Sequence, residues 1–187
     1  MILAFPRSKG AGEDWIAITG ALRAATVAAV DMLSAVLEGQ RLYAVCVQTA
    51  DDGMSVSFCA NTEEGYAEKR ASEAMIEDMG PGYAAYLRWA PAEWRYEGFG
   101  DEPFADINRD LTAASLASDG DFNLYFDHLI HAMIDALAHL RVERTQTLEG
   151  VTLFVTVSDS EAAQSVEQQS IHRLNRSKLA EFGRRPG

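Results

Sequence analysis

The chain has 187 residues, and its length fits one domain with one sizeable core. A content of 48% hydrophobic residues excludes an intrinsically disordered chain, because such chains have too few apolar residues to build a core. The formal net charge of -12 disfavours direct nucleic-acid binding, because such a field repels phosphate backbones.

The N-terminal sequence predicts a flexible leader followed by a long helix. Residues 1–12 lack the apolar region and the cleavage site of a secretory signal. From Glu13 to Leu37, apolar residues recur every three to four positions, which predicts a largely buried helix. Gly39 follows as a stop signal.

This first helix is also apolar enough to be compared with a membrane span. The run from Trp15 to Leu37 contains Arg23 and Asp31. Each of these charges would cost about 3 kcal/mol at the centre of a bilayer. We therefore expect no membrane span and a cytoplasmic location.

A β-hairpin is predicted next. Two β-rich runs, 42–49 and 54–60, are separated by Asp52-Gly53, which is a strong hairpin signal. If Asp52 and Gly53 form a two-residue loop, the residue numbers of each opposed pair add up to 105. Cys46 then faces Cys59. The face predicted to lie on the core contains Tyr43, Val45, Val47, Val56 and Phe58, and the opposite face contains the cysteines with Gln48 and Ser57. Two cysteines without Cys-x-x-Cys spacing indicate buried thiols and not a disulfide framework or a metal site.

The later elements are predicted from caps, breakers and periodicity. Asn61, followed by Glu63 and Glu64, is typical of an N-cap and predicts a helix to about Met79. Ser158 and Glu161 have the spacing of a capping box that begins the last helix. The other predicted elements are a strand at 83–89, a helix at 104–117, a helix from the N-cap Asp121 to about Arg144, and a strand at 151–157.

Together these elements predict an α+β fold. A small, mainly antiparallel sheet, made of the hairpin 42–60 and strands near 83–89 and 151–157, packs against long helices. We expect a single domain over residues 13–175 and a loose basic tail at 176–187.

The densest cluster of aromatic residues follows the second predicted helix. Seven aromatic residues fall within the 22 positions 83–104, among the acidic residues Glu93, Glu97, Asp101 and Glu102. The rings are expected either to anchor an irregular segment in the core or to form a partner-binding patch. The candidate partner-binding residues are Trp89, Glu93, Trp94, Tyr96, Glu97, Asp101 and Glu102.

A second candidate site lies on the helix that begins at Asp121. His128, His131, Asp135 and His139 are spaced by three or four residues and share one helical face, as metal ligands would. This face lies opposite the apolar arc of the helix, so a solvated polar surface is the simpler interpretation. His128, His131 and Asp135 remain as candidates for a metal-dependent or acid-base enzyme.

Sequence motifs for other chemistry are missing. The chain contains no Gly-x-Ser-x-Gly, no His-Glu-x-x-His and no glycine-rich phosphate loop. We therefore expect no cofactor and no catalytic residue.

Several motifs resemble a bacterial family known as domain of unknown function 4303. The main one is the run Arg88-Trp89-Ala90-Pro91-Ala92-Glu93-Trp94-Arg95-Tyr96-Glu97. Supporting motifs are Tyr43-Ala44-Val45-Cys46, Ala60-Asn61-Thr62-Glu63-Glu64, Ser158-Asp159-Ser160, Ser170 and Leu174-Asn175. The family brings no established activity. The resemblance implies an association with toxin loci, in which small proteins of this kind resemble immunity proteins.

The expected function is therefore noncatalytic binding of a protein. Residues 51–110 hold 14 acidic and 5 basic residues, so negative charge concentrates around the aromatic segment and would attract a basic protein. We expect an immunity-type antitoxin whose partner is a basic protein such as a cognate toxin. The alternatives are the enzyme described above and a regulatory or structural subunit of a homodimer.

Overall fold

The structure is a computed structural model that describes residues 11–75, 80–118 and 121–175. In chain order its elements are α1 (Ala11–Val36), β1 (Leu42–Ala50), β2 (Val56–Thr62), α2 (Glu63–Glu73), α3 (Pro81–Trp89), α4 (Ala105–Leu116), α5 (Phe122–Glu143), β3 (Thr152–Ser158) and α6 (Ala163–Leu174), with 3-10 turns at Pro91–Glu93 and Glu102–Phe104. The predicted loose tail and most of the predicted leader lie outside the described residues. The second predicted helix ends at Glu73, earlier than its predicted end near Met79, a residue that lies outside the described ones.

The α+β fold is confirmed, and in the described residues its sheet has three strands in the order β2-β1-β3. The hairpin has the predicted register, with Cys46 opposite Cys59 and Val47 opposite Phe58. β3 pairs with β1 in parallel, so the sheet is mixed and not mainly antiparallel. The reason is that β3 returns to the sheet after a long helical connection, which permits parallel pairing.

The main core lies between one face of the sheet and the two longest helices. β1 and β2 contribute Val45, Val47 and Phe58, as predicted, and β3 contributes Leu153 and Val155. The largest fully buried side chains of α1 and α5 cover them: Leu22, Leu33, Leu129, Met133, Ile134, Leu137 and Leu140. This burial explains why two long helices with broad apolar faces are stable in the fold.

The opposite face of the sheet is also buried. Cys46 and Cys59 pack there with Trp89, Trp94 and Phe154 in a second apolar cluster. The predicted placement of Tyr43 on the main core was wrong, because its side chain belongs to this second cluster. The pairing of β1 with β2 shifts register between Leu42 and Ala44, and this irregularity interrupts the alternation on which the prediction depended.

The predicted strand near 83–89 was wrong, because these residues form the helix α3. Gly80 stands at the N-cap and Pro81 occupies the first turn, where its missing N–H costs no hydrogen bond. The stacked rings of Tyr83 and Tyr86 are three residues apart on one helical face, with centroids 6.0 Å apart. Aromatic residues favour strands, and that preference misled the prediction.

Two predicted helix starts also differ from the structure. Thr62, and not Asn61, caps α2, because its hydroxyl accepts a hydrogen bond of 3.0 Å from the amide of Gly65. The capping box of Ser158 and Glu161 does not begin α6, whose first residue is Ala163. Where several short polar residues follow one another, each of them could cap the helix. The backbone conformation decides which side chain reaches the free amides of the first turn.

Two side chains form hydrogen bonds with the backbone N–H and C=O groups at the outer edge of β3. The Asn175 amide accepts a hydrogen bond from the Leu153 N–H (2.9 Å) and donates one to the Leu153 carbonyl (2.6 Å). The Ser170 hydroxyl makes the equivalent contacts with the N–H and the carbonyl of Val155, at 3.0 and 3.3 Å. An edge strand closed in this way cannot pair with another chain at these positions.

In the described part of the chain, α1 is the one helix long and apolar enough to span a membrane. The stretch Trp15–Val36 has a mean hydropathy of 1.5, and 39% of its most apolar window is buried inside the fold. The buried apolar residues of α1 belong to the main core, whereas Ile16, Met32 and Val36 are exposed.

Candidate functional site

The segment that links α3 to α4 is fixed to the free edge of β2. Ala60 and Tyr96 exchange two backbone hydrogen bonds, of 3.0 and 3.2 Å. The amide of Phe99 then donates to the carbonyl of Phe58 at 2.8 Å. The segment therefore closes this edge of the sheet and takes a fixed path.

Trp89 and Trp94, the two tryptophans of the candidate patch, face the interior. Trp89 is 8% exposed and Trp94 is 4% exposed. The Trp94 ring meets the rings of Phe154 and Tyr43 edge to face, and its indole N–H donates to the carbonyl of Arg88 at 3.0 Å. Both rings thus anchor the segment against the second apolar cluster and offer little surface to a partner.

Two further candidates, Tyr96 and Glu93, are also engaged within the fold. Tyr96 packs half-buried against the main core and meets the Phe99 ring edge to face. Glu93 pairs with Lys69 at 2.9 Å and accepts a hydrogen bond from the Tyr86 hydroxyl at 3.1 Å. Its charge is therefore compensated within the molecule.

The remaining candidates form an exposed acidic loop, which we define as residues 97–102. The side chains of Glu97, Asp101 and Glu102 are exposed, and none of them makes an ion pair with a described residue. The structure thus separates the candidate patch into an interior aromatic anchor and an outward row of carboxylates.

Glycines set the shape of the acidic loop. Gly98 and Gly100 have φ angles of +59° and +71°, which other residues rarely adopt. A side chain at Gly100 would begin 3.7 Å from the Cβ of Ala29 and 4.0 Å from the end of Met32. The loop therefore lies directly on α1, beside a Met32 side chain that is 42% exposed.

Cys59 lies beneath the acidic loop and is not an activated nucleophile. Burial raises the pKa of its thiol to about 11, and the charges of Glu97 and Asp101 act in the same direction. Because the thiolate is the reactive form, the thiol is inert near neutral pH. Its side chain packs in the second apolar cluster, close to the backbone of Gly98 at the start of the loop.

The histidine face does not bring metal ligands together. Asp135 pairs with Arg23 at 2.6 Å, and the Nδ1–H of the exposed His131 donates to the carbonyl of Asp127 at 2.7 Å. The His128 ring stacks on Trp15. No group of three His, Cys, Asp or Glu side chains that could hold a metal ion exists within residues 11–75, 80–118 and 121–175.

One carboxylate and three aromatic rings surround the Arg88 guanidinium at the base of the site. No sequence pattern indicated this cage. Arg88 forms two hydrogen bonds with the Glu63 carboxylate, of 2.8 and 3.0 Å. Its guanidinium lies 4.2 Å from the centre of the Tyr43 ring and within 6 Å of the rings of Tyr66 and Trp89. The cage fixes the end of α3, from which the segment with the acidic loop departs.

The Glu63–Arg88 pair should make stability depend on pH. Hydrogen bonding to Arg88 holds the pKa of Glu63 below its usual range. The pair therefore stabilises the fold above the pKa of an ordinary glutamate, about 4.3, and this stabilisation is lost as pH falls through the lower folded-state value. We expect Glu63→Gln to cost roughly 1 kcal/mol at pH 7 and much less at pH 3.

Urea denaturation of both proteins at the two pH values measures this difference. Glu68→Gln is the matched control, because Glu68 pairs with Arg95 through a side chain that is 68% exposed. Its substitution should change stability little at either pH. An equal effect of Glu63→Gln at pH 7 and pH 3 would contradict the assigned role of the ion pair.

A known protein family matches most of the chain. The model of the family described as Domain of unknown function (DUF4303) matches residues 22–176. The chain belongs to the DUF4303 family. The matched region runs from within α1 past the end of α6, so it includes the acidic loop, the Arg88 cage and the closed edge of β3. No curated protein and no solved structure matches the chain at a significant level.

Membership in the DUF4303 family confirms the resemblance on which the sequence motifs depended. Several of those motif residues have structural tasks in the described part of the fold. Asn61 donates to the Tyr43 hydroxyl and accepts from the amide of Thr62, while Ser170 and Asn175 close the edge of β3. These three motif residues therefore stabilise the fold.

Proposed function

We propose that this DUF4303 protein binds a basic protein partner through its acidic loop and carries out no chemistry itself. The observation that carries the proposal is the contrast within one segment: Trp94 is buried, whereas Glu97, Asp101 and Glu102 are exposed without an ion pair to a described residue. Carboxylates in this state can exchange water for the cationic side chains of a partner.

The fixed path of the loop supports this proposal. Backbone hydrogen bonds tie the segment to β2, and two buried tryptophans hold it from beneath. A surface that is already ordered loses less conformational entropy when a partner binds. Met32 beside the loop adds exposed apolar area, and apolar contacts next to charges are the usual composition of an interface.

The partner class that we propose is a toxin or effector domain with a cationic surface, which the protein would neutralise as an immunity-type antitoxin. Two points support this class: the sign of the loop charge, and the association with toxin loci that the family resemblance implied. Electrostatic attraction of this kind raises the rate of association and depends strongly on salt.

Reversal of two loop charges tests the proposal. We expect Glu97→Lys combined with Glu102→Lys to weaken binding of the protein encoded by the neighbouring gene at least tenfold at low salt. The loss should appear mainly in the association rate, because the mutated charges steer the encounter. Surface plasmon resonance at two salt concentrations measures both the rates and their salt dependence.

The control carries the same change of charge on another part of the surface. Glu149 and Glu161 are exposed and make no ion pair with another described residue, so Glu149→Lys combined with Glu161→Lys should leave affinity within about threefold. Equal affinity of the loop variant and the control, or no binding at low salt, would refute the proposed docking surface.

A further inference from the structure

A groove of about 600 Å³ lies between the N-terminal half of α1, the first half of α5 and the end of α6. It shares no residue with the acidic loop. Trp15 and Gly20 contribute to it from α1, and His128 and Asp135 from α5. Its volume is within the range of pockets that bind small molecules.

The charge of the groove is opposite in sign to that of the chain. Arg23, Arg173 and Asp135 line it, so two guanidinium groups face a single carboxylate, although the chain has a net charge of -12. Arg23 forms an ion pair with the Asp135 carboxylate, at a distance of 2.6 Å. Arg173 is exposed and makes no ion pair with a described residue. The groove therefore has an arginine available for an anion.

An aromatic wall stands in the same groove. The His128 ring stacks on the Trp15 ring with centroids 5.4 Å apart and an interplanar angle of 30°. Trp15 is half-buried and also meets Tyr125 at 5.5 Å, which limits its motion. A fixed pair of rings offers a flat surface on which another planar group can stack.

Gly20 leaves the α1 side of the groove open. It lies in the interior of α1, where glycine destabilises a helix relative to alanine. A Cβ at this position would meet no atom within 4 Å, and the residue does not have a positive φ. Neither packing within the described residues nor backbone conformation thus requires glycine here, and the missing side chain leaves the surface of α1 accessible within the groove.

We propose that this groove binds a small organic anion that carries a flat ring. Arg173 pairs with the anionic group, the Trp15–His128 wall receives the ring, and the absence of a side chain at Gly20 leaves room for the ligand on α1. The anionic group is a phosphate or a carboxylate, since arginine binds both through paired hydrogen bonds. This site is separate from the proposed docking loop and can be tested without a protein partner.

Isothermal titration calorimetry of the full chain at low salt tests the proposal with two probes. AMP presents a ring with a phosphate, and indole-3-acetate presents a ring with a carboxylate. We expect one-to-one binding of at least one probe, and the tighter one assigns the anionic group. The uncharged counterparts, adenosine and indole-3-acetamide, should bind at least tenfold more weakly.

Two variants connect binding to the groove. Arg173→Gln should weaken the tighter probe at least tenfold. Gly20→Leu should do the same with no fall in melting temperature, because the side chain enters open space and leucine favours a helix. Ala21→Leu, the exposed neighbour that does not line the groove, is the matched control and should bind normally. Failure of both probes at millimolar concentration, or unchanged binding by Gly20→Leu, would overturn the proposal.

Discussion

Replacement of Trp94 by alanine is expected to lower the free energy of unfolding by about 3 to 5 kcal/mol. The ring is 4% exposed, and it fills the space between Phe154 of β3 and Tyr43 of β1. Alanine would remove these contacts and leave a cavity that the sheet cannot close, because the strands are fixed by their hydrogen bonds. The carbonyl of Arg88 would also lose the indole N–H.

Urea denaturation followed by circular dichroism measures this loss. Tyr86→Ala is the matched control, because that ring is 48% exposed and stacks mainly on Tyr83. We expect the control to cost about 1 kcal/mol or less. Similar losses for the two variants would mean that Trp94 does not anchor the segment.

The same substitution should also release the acidic loop. In Trp94→Ala, hydrogen exchange at the amides of Tyr96 and Phe99 should accelerate more than at the amide of Val47 in the centre of the sheet. The reason is that the loop depends on the tryptophan for its position, whereas β1 is held by neighbours on both sides. Equal acceleration at all three amides would instead indicate global unfolding.

Local signals were enough to predict the hairpin and the long helices. Asp52-Gly53 and the alternation of apolar residues correctly predicted the pairing of Cys46 with Cys59. The predicted two-residue loop was wrong, because pairing ends at Thr49 and Val56 and the turn is closed by a hydrogen bond from the Gly53 N–H to the Ala50 carbonyl. Periodicity at three to four residues located α1 and α5, whose apolar faces are long enough to be unambiguous.

Residues 83–89 show where local signals failed. Tyr83, Tyr86 and Trp89 have ring side chains that suit a strand as well as a helix. Pro81 at the first helical position was the feature that could have decided for α3, since proline is favoured there and excluded from central strands. Pro81 also stands between Gly80 and Gly82, and such a combination is equally typical of a break between elements.

The sequence indicated a candidate segment at residues 83–104 but did not separate its buried side chains from its exposed ones. The clustering of rings and carboxylates indicated the segment, whereas the burial of Trp94 depends on which face of a distant sheet it meets. The contact of Arg88 with Glu63 joins positions 25 residues apart, and the sequence contains no signal for it. The compensation of Glu93 by Lys69 likewise requires the packing of α2 beside the 3-10 turn.

Replacement of Asn175 by alanine is the second substitution with a large expected effect. Its amide makes hydrogen bonds with both backbone groups of Leu153, and it also accepts from Arg141 at 3.0 Å and donates to the carbonyl of Ile171 at 3.2 Å. Alanine would leave the buried N–H and carbonyl of Leu153 without partners. Since each such group costs about 1 to 3 kcal/mol, we expect a loss of about 2 to 4 kcal/mol.

Two comparisons identify hydrogen bonding as the cause of that loss. Asn123→Ala makes the same change on the exposed surface of α5 and should cost no more than about 0.5 kcal/mol. Asn175→Asp keeps the size but replaces the donor to the Leu153 carbonyl by an acceptor. Because two acceptors would then face each other, Asn175→Asp should remain destabilised near neutral pH although its charge suits Arg141. Wild-type stability in both Asn175 variants would show that the edge of β3 does not need this side chain.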